Sequence, residues 1–416
     1  MNSKVFKIGS VFIYGLILSA IVGLISSLFL VLVHDVSDYI WSDVVYNIKR
    51  PYIGTLLVLA VGSLIVGFSR YRWGNLPKNA HDAISKLKST KKVYYKNVYI
   101  NFFIAFVILI FGAGVGPEAA LLSSIFALAI WIADKMRYLY FNFNEIKKDK
   151  LSIKLNKIIL QNVYLEAYDE DKVGQSKKRK LIKKIICIVY IVVGILCFTL
   201  LSNYFNQPAF TNKLGESSWG LRELVIFIPL VLYGLFYSKI YSLISLIIGK
   251  VFNLFKQRIV VSAFVGGLGI ALVSFLAPDL LFSGQASLKN LASVGLELPI
   301  ITLVLASILK LVFMELCLKS GWLGGNILPI IFASMLQGYA IALLFPSLDP
   351  IFIVAVVGCT TSLAILKSPF LGFFIMLYFP LNIIPIIIVI MILFIGYDKL
   401  QINEKLGFKK TQKVNF

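Results

Sequence analysis

Long apolar blocks separated by short polar or basic connections run through almost the whole chain, at 8–33, 53–68, 98–111, 118–132, 185–201, 224–248, 260–276, 298–318, 327–344, 351–366 and 370–395. A helix needs about 20 apolar residues to cross a hydrocarbon core. Several blocks fall short of that and are bounded by glycine or proline, which predicts helices whose ends are buried in protein rather than in lipid. Pro380 and Pro385 lie in the last, long block and predict that it divides near them. The expected fold is all-α and polytopic, with roughly ten to twelve helices.

Composition agrees with this. Hydrophobic residues make up 59% of the 416 positions and charged residues only 15%, and the mean hydropathy of +0.86 excludes an ordinary soluble enzyme. The first block is longer than a signal-peptide core and lacks a small-residue cleavage site, so it reads as a retained transmembrane helix. The net charge of +21 would suit a nucleic-acid binder, but the basic residues sit in the connections between apolar blocks. That placement is the topology signal of cytoplasmic loops, so no nucleic-acid partner is expected. On the same argument both termini and the basic segment 134–184 are cytoplasmic, and the connection 203–220 is outside. Within 134–184, apolar residues between Ile146 and Tyr164 recur at helical spacing. They fit either a helix lying on the bilayer surface or a solvated linker helix.

Conventional site chemistry finds little support. Cys187, Cys197, Cys317 and Cys359 lie singly in apolar runs, and His34 and His81 are isolated, so neither a metal nor another cofactor is expected. No nucleophile/base constellation or P-loop is present.

Three broken junctions stand out instead. In Phe111-Gly112-Ala113-Gly114-Val115-Gly116-Pro117-Glu118-Ala119-Ala120 a carboxylate sits where one apolar stretch must stop and another start. An ionisable residue at such depth is by default functional. The second junction, Gly321-Trp322-Leu323-Gly324-Gly325-Asn326-Ile327-Leu328-Pro329, recurs in the other half of the chain. The third, Gly74-Asn75-Leu76-Pro77, lies beside Arg70, Arg72 and Lys78. Paired interrupted segments point to an ion site built from half-helix ends. A helix start offers N–H groups and the positive end of the dipole, which attracts an anion without a full cation that would hold it too tightly. Glu118 at such a start can occupy the anion's place and vacate it on protonation; the plain alternative is a helix-start acid that only complements its own dipole.

Taken in order, these junctions resemble the CLC family of chloride channels and chloride/proton antiporters. The family's gating-glutamate motif aligns with Gly116-Pro117-Glu118-Ala119-Ala120, which implies that Glu118 is the gate. Its later glycine-rich motif aligns with Ser320 through Pro329, implying that the amides of Asn326 and Ile327 coordinate the anion, flanked by Gly325 and Leu328. Gly74, Asn75, Leu76 and Pro77 would line the inner mouth, Gly116 and Ala119 would flank the gate, and Tyr397 would stand at the family's central tyrosine. Phe282-Ser283-Gly284-Gln285, Gly358 through Ala364 and Ser368 through Gly372 support the match in the expected order. The resemblance implies an inverted repeat (1–205 and 220–398 of a single domain 1–398, with the insert 134–184 and a basic tail 399–416), chloride or a similar small anion as substrate, protons as a second substrate in the antiporters, and a homodimer in a cell membrane.

There are departures. Pro117 replaces a basic residue and removes one N–H, and Gly74 stands where the family has a serine hydroxyl. The segment 134–184 stands where an apolar helix pair with an internal proton-transfer acid is expected; Glu166 is available there but lies in polar sequence. Glu315 and Lys319 are spaced as a helical ion pair, and with Lys310 they read as a salt-bridged anchor near the interface in preference to the sharper alternative, a proton or ion pathway. Channel and antiporter remain open. So do an unrelated inverted-repeat anion transporter and a transport-inactive scaffold of the same fold.

Overall fold

The computed structural model describes residues 2–45, 51–77, 95, 97–159, 165, 177–207 and 211–396, with the side chains of 2–4, 51 and 177–180 excepted. Tyr397, His81, Glu166 and the tail 399–416 lie outside the described residues. Among those described the regular elements are helical: α1 (Asn2–Asp38), α2 (Pro51–Trp73), α3 (Val98–Ile110), α4 (Glu118–Phe141), α5 (Phe143–Lys148), α6 (Leu151–Ile158), α7 (Lys177–Tyr204), α8 (Leu221–Val225), α9 (Phe227–Asn253), α10 (Ile259–Leu276), α11 (Gln285–Val294), α12 (Ile300–Ser320), α13 (Ile327–Ala342) and α14 (Pro350–Leu366). Two apolar helical stretches follow, α15 (Pro369–Tyr378) and α16 (Leu381–Gly396). Among the described residues seven helices are long and apolar enough to cross a membrane; α3, α13, α14, α15 and α16 are shorter. The protein is therefore an all-α, multi-pass membrane protein.

The expected blocks become helices, with two divisions. Block 370–395 breaks at Phe379 and Pro380, as its prolines predict, while Pro385 falls inside α16. Block 224–248 also breaks, at Ile226, between the short α8 and α9. The described part of the periodic stretch, 146–159, falls in two short helices, with Ile146 buried and Leu151, Ile153 and Leu155 exposed; 160–164 lie outside the described residues.

The helices group into two contact units. One comprises Met1–Val44, Asn75–Ile110 and Pro117–Pro208; the other comprises Val45–Gly74, Phe111–Gly116 and Ala209–Phe416. The contact units thus do not follow the sequence halves. Two first-half segments, α2 and the loop 111–116, pack with second-half elements, because α2 lies along α10 and the loop is hydrogen-bonded to residues near Gly325.

The first unit is held by close crossings and a few buried polar contacts. α1 packs along α7, and a Cβ at Gly23 would lie 2.1 Å from the Gly194 carbonyl oxygen, so only glycine permits that approach. Ser27 and Ser202 hydroxyls share a hydrogen bond of 2.8 Å. The Asn101 amide on α3 donates to Ser123 at 3.1 Å and Ser124 at 2.8 Å on α4. Trp41 Nε1 caps the end of α3 by donating to Ile110 O at 3.0 Å.

The second unit is built around α14, which is buried on every side from Ile351 to Leu363, as expected of a helix that is apolar all round. It packs against α13 and α9. At the α13/α14 crossing a Cβ on Gly338 would lie 2.8 Å from Val354 Cα, a backbone atom that cannot swing away. We expect Gly338→Val to destabilise the protein by about 1–3 kcal/mol, read as a lower melting temperature in detergent; an unchanged melt would show that this crossing tolerates separation.

The strap before α8 is laced to the starts and ends of these helices. Asp349 accepts from Ser217 Oγ at 3.1 Å and Ser218 N at 2.6 Å while capping α14 through Phe352 N at 2.7 Å. Tyr339 donates to Leu214 O at 3.0 Å. Glu223 accepts from Gly220 N at 2.7 Å and Asp349 N at 3.3 Å, and the Gly220 bond foremost holds its carboxyl below the usual value of 4.5. A lowered folded pKa gives stability that is present above about 4.5 and lost as pH falls through the folded value. Glu223→Gln should lower stability by about 1 kcal/mol at neutral pH and flatten the loss between neutral and acid pH. A variant with the same acid melting profile as the wild type would refute this.

Candidate functional site

Two broken junctions meet inside the second unit. α3 and α12 both end in glycine with left-handed backbone shortly afterwards, Gly112 at φ 78° and Gly321 at φ 104°. Only glycine takes such angles without strain. Four residues after each of these comes a second glycine, Gly116 and Gly325, and two residues after that a helix begins, at Glu118 and Ile327. The two second glycines pair. Gly116 N donates to Gly325 O and Gly325 N to Gly116 O, both at 2.7 Å, as an isolated antiparallel bridge. A backbone leaving a helix at membrane depth has no water to bond, so the two broken segments satisfy each other.

The surroundings leave no slack. Phe111 and Trp322, the flanking aromatics, pack edge to face at 6.4 Å, and fully buried Trp322 donates Nε1 to Ala263 O at 2.9 Å. A Cβ on Gly324 would lie 2.4 Å from Val115 Cγ2, and one on Gly114 would lie 2.6 Å from Phe313 Cδ1. Gly114 N donates to Cys317 Sγ at 3.3 Å, so this cysteine serves the loop rather than merely filling space. Ser320 O, at the end of α12, accepts from Ser262 Oγ at 3.1 Å and from Arg70 Nη1 at 3.3 Å.

Lys310 corrects a sequence expectation. The Glu315–Lys319 pair forms, with 3.7 Å between Oε2 and Nζ, and Glu315 also accepts from Tyr241 Oη at 2.5 Å and Ser245 Oγ at 3.1 Å. Lys310, however, is no part of that anchor. It is fully buried and donates to Leu280 O at 2.7 Å and Phe282 O at 2.6 Å, with its ammonium 5.6 Å from the Phe313 ring centre. Phe282 itself has φ 59°, and its N–H donates to Gly112 O at 3.3 Å. The ammonium therefore fixes a non-glycine residue in left-handed backbone, and that residue holds the first junction. Helical spacing made an ion pair the natural reading; carbonyls more than twenty residues upstream give no signal in sequence.

The remaining expected site residues are placed as follows. Glu118 opens α4 in the first unit, half-buried, with Pro117 before it and buried Ala119 after it. Asn326, the residue preceding α13, makes no side-chain cap, and Pro329 lies in the first turn, where a missing N–H costs little. Leu328 is buried and Ile327 half-buried. The N–H of each of Gly116 and Gly325 is engaged with the other's carbonyl oxygen, which makes these two a scaffold for the residues that follow them. Gly74 ends α2 at φ 76°, with its N–H donating to Arg70 O at 2.9 Å; Gly74 and Asn75 are exposed, Leu76 and Pro77 buried.

A family model for voltage-gated chloride channels matches residues 177–397, more than half of the 416-residue chain. The chain belongs to the CLC family. Its fold is likewise that of solved CLC structures. It resembles a slow cyanobacterial Cl⁻/H⁺ antiporter with a TM-score of 0.67 and 14% identity over 92% of each chain. It resembles a CLC-type fluoride/proton antiporter at 0.56 and 13%, covering 94% of this chain and 95% of the other. A eukaryotic CLC transporter follows at 0.54 and 12%, with 92% of this chain covering 70% of that one. At such identities the likeness shows the fold. No curated protein matches significantly.

The buried lysine of this CLC protein gives a direct test of the junction's construction. Lys310→Met should lower stability by about 2–4 kcal/mol, because two buried carbonyls lose their donor at once. Thermal unfolding in detergent measures it. A variant as stable as the wild type would mean that burying the ammonium costs as much as its hydrogen bonds return.

Proposed function

We propose that this chain moves chloride or a similar small anion across a membrane, with Glu118 as the gating carboxylate and the helix start at Asn326 and Ile327 as the anion's amide donors. The observation that carries the reading is the Gly116–Gly325 bridge. It anchors the second glycine of each broken junction two residues ahead of a helix start, one start bearing the acid and the other bearing apolar residues. Backbone N–H groups at a helix start attract an anion and release it again. A carboxylate at the other start competes for the same kind of ligand when ionised and withdraws when protonated. Gly74, Asn75, Leu76 and Pro77 belong, on this reading, to the inner mouth, and Tyr397 to the central constriction. The basic connections put the termini on the cytoplasmic side.

Purified protein in liposomes with an imposed chloride gradient tests this. Glu118→Gln should change chloride flux several-fold and abolish its pH dependence, because the amide cannot titrate. Flux and pH response equal to those of an active wild-type preparation would refute the gate. In the same liposomes, chloride-driven proton movement defines an antiporter, whereas chloride flux without it defines a channel. Absence of chloride movement in the wild type would overturn the anion assignment itself.

A further inference from the structure

A second cationic feature lies where α2, α9 and α12 end and α10 begins. These ends enclose a cavity of about 450 Å³ that carries Arg70, Lys250, Lys256 and Lys319 and no acidic residue among its lining. Its size lies within the roughly 300–1,000 Å³ usual for small-molecule sites. Two of the four cations are engaged: Arg70 with Ser320 O and Lys319 with Glu315. The side chains of Lys250 and Lys256 have no hydrogen-bond or ion-pair partner among the described residues. Asn253 and Ser245 share the lining, the Ser245 hydroxyl already donating to Glu315 at 3.1 Å. Basic residues near helix carboxyl ends ordinarily complement the dipole; four around one hollow with no acid in its lining, of which Glu315 pairs only Lys319, concentrate positive potential there.

One wall decides the kind of anion. Leu246 lines the cavity and is also exposed, in a row on α9 with exposed Leu243 and Ile247. An apolar surface of a membrane helix thus runs directly into a cationic pocket at the level where that helix ends. We propose that this cavity binds the phosphate group of an anionic phospholipid, with Lys250 and Lys256 as its principal charges and the acyl chains laid along α9 over Leu243, Leu246 and Ile247. The site is distinct from the junction, yet Arg70 connects them. Its guanidinium lines the cavity and bonds Ser320 O, and a Cβ on Gly321 would meet its Nη1 at 2.4 Å, so one side chain touches both the cavity and the end of α12.

The test reads binding and does not depend on transport, so it stands or falls separately from the anion reading. Full-length protein in detergent is titrated with phosphatidylglycerol, with phosphatidylcholine and with inorganic phosphate, following bound lipid by native mass spectrometry and the melting temperature. Phosphatidylglycerol should be retained and raise the melt, and the other two should not. The double variant Lys250→Gln, Lys256→Gln should bind it about tenfold or more weakly, since each cation near a lipid surface is worth about a factor of five. A control pair, Lys150→Gln and Lys154→Gln, should bind like the wild type. Equal retention by the cavity variant and the wild type overturns the site, as does equal binding of phosphatidylcholine. A melt raised equally by inorganic phosphate overturns the lipid as its source.

Discussion

A backbone that leaves helical geometry inside a membrane must find partners for its peptide groups within the protein, and in this molecule the reciprocal bonds between Gly116 and Gly325 meet that need. The bond lengths of 2.7 Å are ordinary; the environment makes them indispensable, because water is not available to replace them. Neighbouring features follow from this constraint. Glycines with positive φ end the incoming helices, the flanking Phe111 and Trp322 seal the loops, and Gly114 and Gly324 lack side chains where Phe313 and Val115 approach. Close packing and reciprocal backbone bonds thus go together at this junction.

Few charges take part in that packing. Fully buried Lys310 is turned onto carbonyl oxygens rather than a carboxylate. Its two acceptors belong to the segment that holds the first junction through Phe282 N and Gly112 O, so the side chain acts as a fastening for that backbone.

The contact grouping shows how segments far apart in sequence complete one another. α2 and the loop 111–116 are read early in the chain but group with elements beyond residue 209. Each half completes the other's broken segment, since neither junction can satisfy its own backbone. The same logic ties the strap 211–220 to α8, α14 and α16 through Glu223, Asp349 and Asn382.

Much of the fold was legible in the amino-acid order because hydropathy and the glycine and proline positions act locally. Apolar length marked the helices, Pro380 marked the division of the last block, and the glycines at 112, 116, 321 and 325 marked where helices stop and restart. Glu118 was visible for the same reason, as an acid where acids are expensive. Partner choice is a non-local matter, and sequence carried no record of it. Lys310 was read as part of a local ion pair because spacing on one helix is all that sequence displays; its actual acceptors are brought in by a different segment. The pairing of Gly116 with Gly325, the use of Cys317 as an acceptor, and the gathering of Lys250, Lys256, Lys319 and Arg70 around one cavity were likewise decided only when the helices packed. The sequence by itself determined which stretches are helices and where they break; the tertiary structure determined which broken ends meet, because a peptide group in a membrane takes whichever partner packing brings within 3 Å.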